Sequence, residues 1–361
     1  MKNKCVCFIN SCRTWGGGEK WHHNMATALN KDGFKVITIT NKKSVLSNRL
    51  NNKIKNYSLY ITNLSFLNPF KIVMLKRILI KEKVSTVIIN LPSDLKLIGP
   101  IGRLIGLKKI IYRRGSAIPI KNSLLNRFLF KNCLDRIITN SKQTKKMILQ
   151  KNPTLFDSNK IHVIYNGIDS KEYNLRSNKF LYTKQEDELI IGNIGRFSYQ
   201  KNHKFLITLA AKLKAKHFKF KLLLAGEGEL KKNIHSLSEK LEVMDKIIFL
   251  EFQENIENFM NNIDVLVLPS LWEGFGYVIV EAMFFNKPVI AFNNSSNPEI
   301  IIDNHTGFLI MKHNYKELIN KLEYLKKYPE KRIEMGKLGK KRVKELFMLE
   351  STVMEVKNLI E

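Results

Sequence analysis

The chain has 361 residues, 44% of them hydrophobic, with a formal net charge of +29. That length suits two domains of roughly 150–190 residues, and no apolar run reaches the ~18 residues a bilayer-spanning helix needs. Four cysteines (Cys5, Cys7, Cys12, Cys133) give no disulfide framework, and the opening MKNKCVCFIN lacks signal-peptide character, so the cytoplasm is the expected compartment.

The charge is unevenly spread. Residues 1–170 hold 31 Lys/Arg and 7 Asp/Glu, a net of +24, whereas residues 171–361 hold 30 and 25, a net of +5. A composition bias would load both halves alike, so the basic first half points to an anionic partner: nucleic acid, an acidic membrane face or a phosphorylated substrate.

Along the chain, short apolar runs alternate with helical patterns. The first half offers strands at 5–9, 35–40, 84–90, 109–113, 136–139 and 161–164, with amphipathic helices at 20–30, 69–81 and 141–151. Cys5 and Cys7 share one face of the first strand and read as packing residues, since no second ligand pair follows at zinc spacing. Residues 45–66 have no clear period. A polar stretch over 166–187 breaks the pattern, and a second set follows, with strands at 188–194, 218–225, 246–250, 264–268 and 288–291. Its helices fall at 201–216, 229–241, 277–285 and 298–302, and residues 315–361 read as helical throughout. Strand–helix–strand at this spacing predicts parallel sheets with helices on both faces, and ligands beyond the carboxyl ends of the strands.

The informative residues fall at those ends. After the first strand come Trp15, Gly16, Gly17, Gly18 and Glu19, then a helix: glycines let backbone approach a ligand, and a helix start favours phosphate. That run is neither G-x-G-x-x-G nor a P-loop. After residues 188–194 come Gly195-Arg196 and Lys201-Asn202, two cations placed to clamp a diphosphate. Gly226 and Gly228 relax the next strand-to-helix turn and leave room for a nucleotide, with Glu229 suited to a first helical turn. The segment Asp264–Glu281 runs a buried strand into Pro269, Ser270 and Glu273, then Gly274-Phe275-Gly276-Tyr277 and a helix bearing Glu281. The amides of residues 274–277 lie at a helix start that welcomes an anion or a sugar hydroxyl. The two glutamates sit at the ends of an eight-residue step, which suits two ends of an elongated ligand better than the ~5–9.5 Å spacing of a glycosidase pair.

Together these residues resemble the family-4 retaining glycosyltransferases of GT-B fold. The resemblance is carried by the E-x7-E pair Glu273/Glu281, the Gly195-Arg196…Lys201-Asn202 loop, the turn 225–228, the joint Tyr165–Asp169 and the strand end Thr306–Leu309. It covers nearly the whole chain and is firmest over residues 161–309. It implies two doubly wound Rossmann-like α/β domains facing a central cleft. The first domain, 1–168, binds acceptor. The second, 169–345, binds nucleotide-sugar. A C-terminal helix over 346–361 is placed to pack back on the first.

The resemblance also implies roles. Glu281 holds ribose hydroxyls, while Glu273 and the amides after it hold the donor sugar. Arg196 and Lys201 neutralise the diphosphate, and Gly17 and Gly18 close from the other half. No metal or other cofactor is expected. The donor is a nucleotide-sugar, UDP- before GDP-, and the acceptor a glycan or lipid-linked glycan of lipopolysaccharide core, O-antigen or capsule. The protein is then peripheral on the inner face of the plasma membrane. Many relatives carry a His in the loop where this chain has Arg113 and Arg114, which together with Trp15 and His22 become the acceptor candidates. Rival readings are a basic nucleic-acid-binding protein, which lacks any recognisable binding motif, and a GT-B epimerase or phosphorylase.

Overall fold

The computed structural model describes residues 5–50, 54–173 and 180–361. The chain divides into two compact units, Met1–Gly167 with Leu349–Glu361, and Ile168–Met348.

The first unit holds seven strands: β1 (Cys5–Asn10), β2 (Lys35–Asn41), β3 (Lys55–Leu59), β4 (Val84–Ile89), β5 (Lys109–Arg114), β6 (Arg136–Thr139) and β7 (Ile161–Val163). Among the described residues six α-helices accompany them: α1 (Gly17–Lys31), α2 (Val45–Arg49), α3 (Pro69–Lys81), α4 (Pro92–Leu104), α5 (Leu124–Phe128) and α6 (Lys142–Leu149). The second unit has β8 (Leu189–Ile194), β9 (Phe220–Ala225), β10 (Ile247–Leu250), β11 (Val265–Leu268), β12 (Val289–Phe292) and β13 (Gly307–Ile310). Its helices are α7 (His203–Ala215), α8 (Lys231–Lys240), α9 (Ile256–Asn261), α10 (Tyr277–Phe284), α11 (Asn297–Ile300), α12 (Tyr315–Lys327) and α13 (Pro329–Leu346). The last helix, α14 (Leu349–Ile360), belongs to the first unit and contacts α1.

Both sheets are parallel throughout, in the orders β3-β2-β1-β4-β5-β6-β7 and β10-β9-β8-β11-β12-β13. Helices cover both faces, so the inner strands are apolar runs rather than alternating ones. In β1, Cys5, Cys7 and Ile9 join the core on one face, and Val6 and Phe8 join the other, where Val353, Val356 and Ile360 of α14 also pack. The cysteines are therefore packing residues, free and, apart from the partly exposed Cys12, buried. Each sheet reverses direction at its first strand, between β2 and β4 around β1 and between β9 and β11 around β8. Parallel sheets bind ligands outside the carboxyl ends at such switch points, and the loops after β1 and β8 stand at these two positions.

Candidate functional site

In the second unit the loop after β8 folds onto two neighbours. Phe197 donates its N–H to Glu227 O (2.9 Å), and Leu230 N–H reaches Phe197 O (3.0 Å). Gly226 adopts φ +137°, and a Cβ there would run into the carbonyl of Gly195, as one on Gly228 would into the backbone of Phe197. These glycines are thus demanded by backbone packing of two loops, a firmer reason than the room for a nucleotide expected from the sequence. Glu229 precedes α8 rather than entering its first turn, and pairs with Arg196 at 3.2 Å on the surface.

The other neighbour is the segment after β11. Lys201 Nζ lies 2.6 Å from Glu273 Oε1, with side-chain exposures of 19% and 7%. Gln200 donates to Trp272 O (2.7 Å) and accepts at its own carbonyl from Leu271 N–H (2.8 Å), while Asn202 donates to Pro269 O (3.2 Å). From the far side, Asn294 donates to Ser270 O and Leu271 O (3.2 and 2.9 Å), and Ser296 to Phe275 O (2.9 Å). The segment is held mainly through its carbonyls and leads into α10, whose first-turn N–H groups point along the helix axis towards its start.

Gly276 caps α10 in the left-handed region (φ +91°), where a side chain would be strained. Phe275 is buried edge-to-face against Tyr277 (5.6 Å) and Phe347 (5.7 Å), so it offers a ligand only backbone. Five residues into the helix, Glu281 is buried and accepts from the Tyr173 hydroxyl at 3.4 Å. Burial, followed by the charge of Glu281, pushes the Tyr173 phenol far up, so it stays a donor. Ser270 Oγ, Asn193 Oδ1 and Asn297 Oδ1 are buried near these strand ends without a hydrogen-bond partner among the described residues.

The structure therefore joins Lys201 to Glu273 and sets Arg196 apart on Glu229. Gln200, Asn294, Ser296 and Tyr173 were missed by sequence reasoning. The polar run Asn293–Asn297 could have been found, because it follows the carboxyl end of β12 as the other loops follow theirs.

In the first unit Gly17 and Gly18 form the first turn of α1, with Gly16 as its cap. A Cβ on Gly18 would stand 3.0 Å from Asn90 Nδ2 and 3.4 Å from Arg113. Arg113 is buried, donates to Asn90 Oδ1 (3.2 Å) and Asn166 Oδ1 (3.1 Å), and lies 5.1 Å over the Trp21 ring. Asn90 and Asn10 in turn donate to the buried Glu19 carboxylate (3.4 and 3.1 Å). A connected polar network thus underlies the glycine loop. Arg113 and Arg114 close β5 rather than occupy the loop after it, and Arg114 reaches Ile118 O at 3.0 Å. Trp15 is half-buried beneath the Arg49 guanidinium, 4.5 Å from its ring centre.

His22 is enclosed instead of presented to solvent. It falls on the face of α1 that packs against the sheet, edge-on to Phe8 at 5.4 Å, and neither ring nitrogen has a hydrogen-bond partner among the described residues. Burial, reinforced by Arg113, holds its pKa well below the ordinary value, so it is a neutral packing residue.

Comparison with known proteins agrees across the chain. Residues 176–342 match the family described as glycosyl transferases group 1, and residues 15–172 match glycosyltransferase family 4. An uncharacterized glycosyltransferase of Methanocaldococcus jannaschii is 33% identical over 276 residues, 73% of this chain and 72% of its own. The capsular polysaccharide biosynthesis glycosyltransferase CapM of Staphylococcus aureus is 30% identical over 224 residues, 60% of this chain and 58% of its own. Among solved structures, Anabaena HepE in complex with UDP-glucose superposes with a TM-score of 0.83 at 18% identity, covering 99% of both chains.

Proposed function

We propose, for a chain that belongs to the group 1 glycosyltransferases and has their GT-B fold of two Rossmann-like α/β domains, that the loops after β8 and β11 bind the diphosphate and sugar of a nucleotide-sugar donor. The observation that carries this reading is the enclosed Lys201–Glu273 pair at the head of the segment that leads into α10. Lys201 and Arg196 meet the diphosphate charge, the amides of Gly274 to Tyr277 and the Glu273 carboxylate hold the sugar, and Glu281 accepts from the ribose hydroxyls. Arg196 is tied to Glu229 only by a solvated contact, which is worth little and is readily exchanged for a phosphate. Lys201 is already oriented.

In the transfer, the bond from the sugar anomeric carbon to the diphosphate oxygen breaks and a bond to an acceptor hydroxyl oxygen forms. The hydroxyl proton passes to the departing diphosphate oxygen, and the nucleoside diphosphate leaves. Configuration is retained in this reading. Arg196, Lys201 and the helix start disperse the leaving charge, so no resident metal is required. A uridine donor is supported by the HepE complex, and a capsule glycan acceptor by CapM, with lipopolysaccharide core and O-antigen as the related acceptors of this reading. Trp15, Arg113 and Arg114 are proposed on the acceptor side, and His22 packs beneath them. The basic first unit works against an anionic inner-membrane surface and has no nucleic-acid role.

Donor turnover by Glu281→Ala and Arg196→Ala at low donor concentration tests the assignment. Both are expected to lose at least tenfold. Full turnover in either removes the contact assigned to that residue.

A further inference from the structure

Helix α3 carries apolar residues on two faces. Leu75 and Leu79 enter the core, as an amphipathic helix requires. On the outer side Phe70, Val73, Met74, Arg77 and Lys81 follow at helical spacing, with Phe70 85% and Ile80 55% exposed. Leu64 and Leu67, just before the helix, are each 67% exposed. A groove of about 630 Å³ runs beside the stripe, between Phe70, Met74 and Arg77 and Tyr57 of the edge strand β3.

The charge around this face is of one sign. Residues 60–134 contain two carboxylates, Glu82 and Asp94, and both are buried. Glu82 is engaged by Lys35, Lys55 and Tyr57 at 2.9, 2.7 and 2.6 Å. Lys76, Arg77, Lys81 and Lys83 therefore stand around exposed apolar side chains with no exposed acid on the same stretch of chain. A solvated face would bury its apolar residues or intersperse both signs.

We propose that the outer face of α3 is the surface by which the first unit lies on an anionic bilayer. Phe70, Val73, Met74 and Ile80 enter the boundary between headgroups and acyl chains, while Arg77 and Lys81 reach the headgroup phosphates. A nucleic acid would use the basic residues and leave the aliphatic ones in water. The proposal gives the membrane reading above its residues and is independent of the donor site. Lost vesicle binding with intact donor turnover and lost turnover with intact vesicle binding are therefore separate results.

The full chain is floated with phosphatidylcholine vesicles, with and without phosphatidylglycerol. Binding is expected only with the anionic lipid. Arg77→Glu/Lys81→Glu should weaken it by at least about 30-fold, from about fivefold for each basic residue lost at an anionic surface, with the two new carboxylates adding repulsion. Phe70→Ser/Met74→Ser should weaken it at least tenfold, with thermal unfolding and donor turnover unchanged in both. The control Lys337→Glu/Lys341→Glu, with the same charge change on exposed α13 positions, should bind as wild type. Equal binding to neutral vesicles, or a control as weak as Arg77→Glu/Lys81→Glu, overturns the proposal. So does a solution dimer dissolved by Phe70→Ser/Met74→Ser, which would assign the face to a second copy.

Discussion

Replacing Lys201 by methionine removes the cation from a carboxylate that is only 7% exposed. Breaking a fully buried ion pair from one side costs about 3–5 kcal/mol. Lys201 is itself 19% exposed, so water reaches the pair and the expected loss falls to about 2–3 kcal/mol. Glu273→Gln keeps shape and one acceptor and strands a lysine that can turn to solvent, for about 1–2 kcal/mol. The double variant leaves neither charge unpaired, so its loss should be smaller than the sum of the singles by about 1–2 kcal/mol. Urea unfolding of the four proteins at neutral pH measures this coupling. Additivity within about 0.5 kcal/mol, the behaviour of independent sites, would refute the reasoning.

Gly226→Ala combines a disfavoured φ of +137° with a Cβ aimed at the Gly195 carbonyl; it should cost about 2–3 kcal/mol and lower Tm, and an unchanged Tm would contradict the loop packing. Asp94 is pushed up to about 6 by burial, against the N–H bonds it accepts from Ser11 and Leu91. Its folded form therefore holds a proton that the unfolded chain releases near pH 4. The associated stability is fully present below that pH and is lost as pH rises through 6, an effect on the order of 2–3 kcal/mol. Asp94→Asn should flatten the stability profile between pH 4 and 6, and an unaltered slope would exclude Asp94 as its source.

The two wound halves were legible because inner strands such as Val265–Leu268 and Val289–Phe292 are continuous apolar runs ending in loops rich in glycine or polar residues. Residues 45–66 were not, and the reason is positional. They contain β3, an edge strand with a half-exposed KNYSL sequence that needs no apolar run. Helix α4 was equally hard to read, since Pro100, Gly99 and Gly102 argue against it by propensity. Packing explains the glycines: a Cβ on Gly99 would stand 3.1 Å from that of Cys133, and one on Gly102 would collide with Ile110.

At the site, the sequence gathered Glu273, Lys201 and Arg196 as strand-end residues without revealing who pairs with whom. That partnership depends on how the loop 195–202 lies across the segment 269–276, through Gln200 and Asn202, and no local pattern encodes it. His22 shows the opposite failure. Its neighbours Trp21, Met25 and Leu29 mark the buried face of α1, and the helical period already assigns the histidine to it.

Calorimetric titration of the wild-type chain and Lys201→Met with UDP, GDP and ADP tests the donor site most directly. The account predicts that UDP binds most tightly and that Lys201→Met binds it at least tenfold more weakly. Equal UDP affinity in the two proteins, or no binding of any of the three nucleotides, would contradict it.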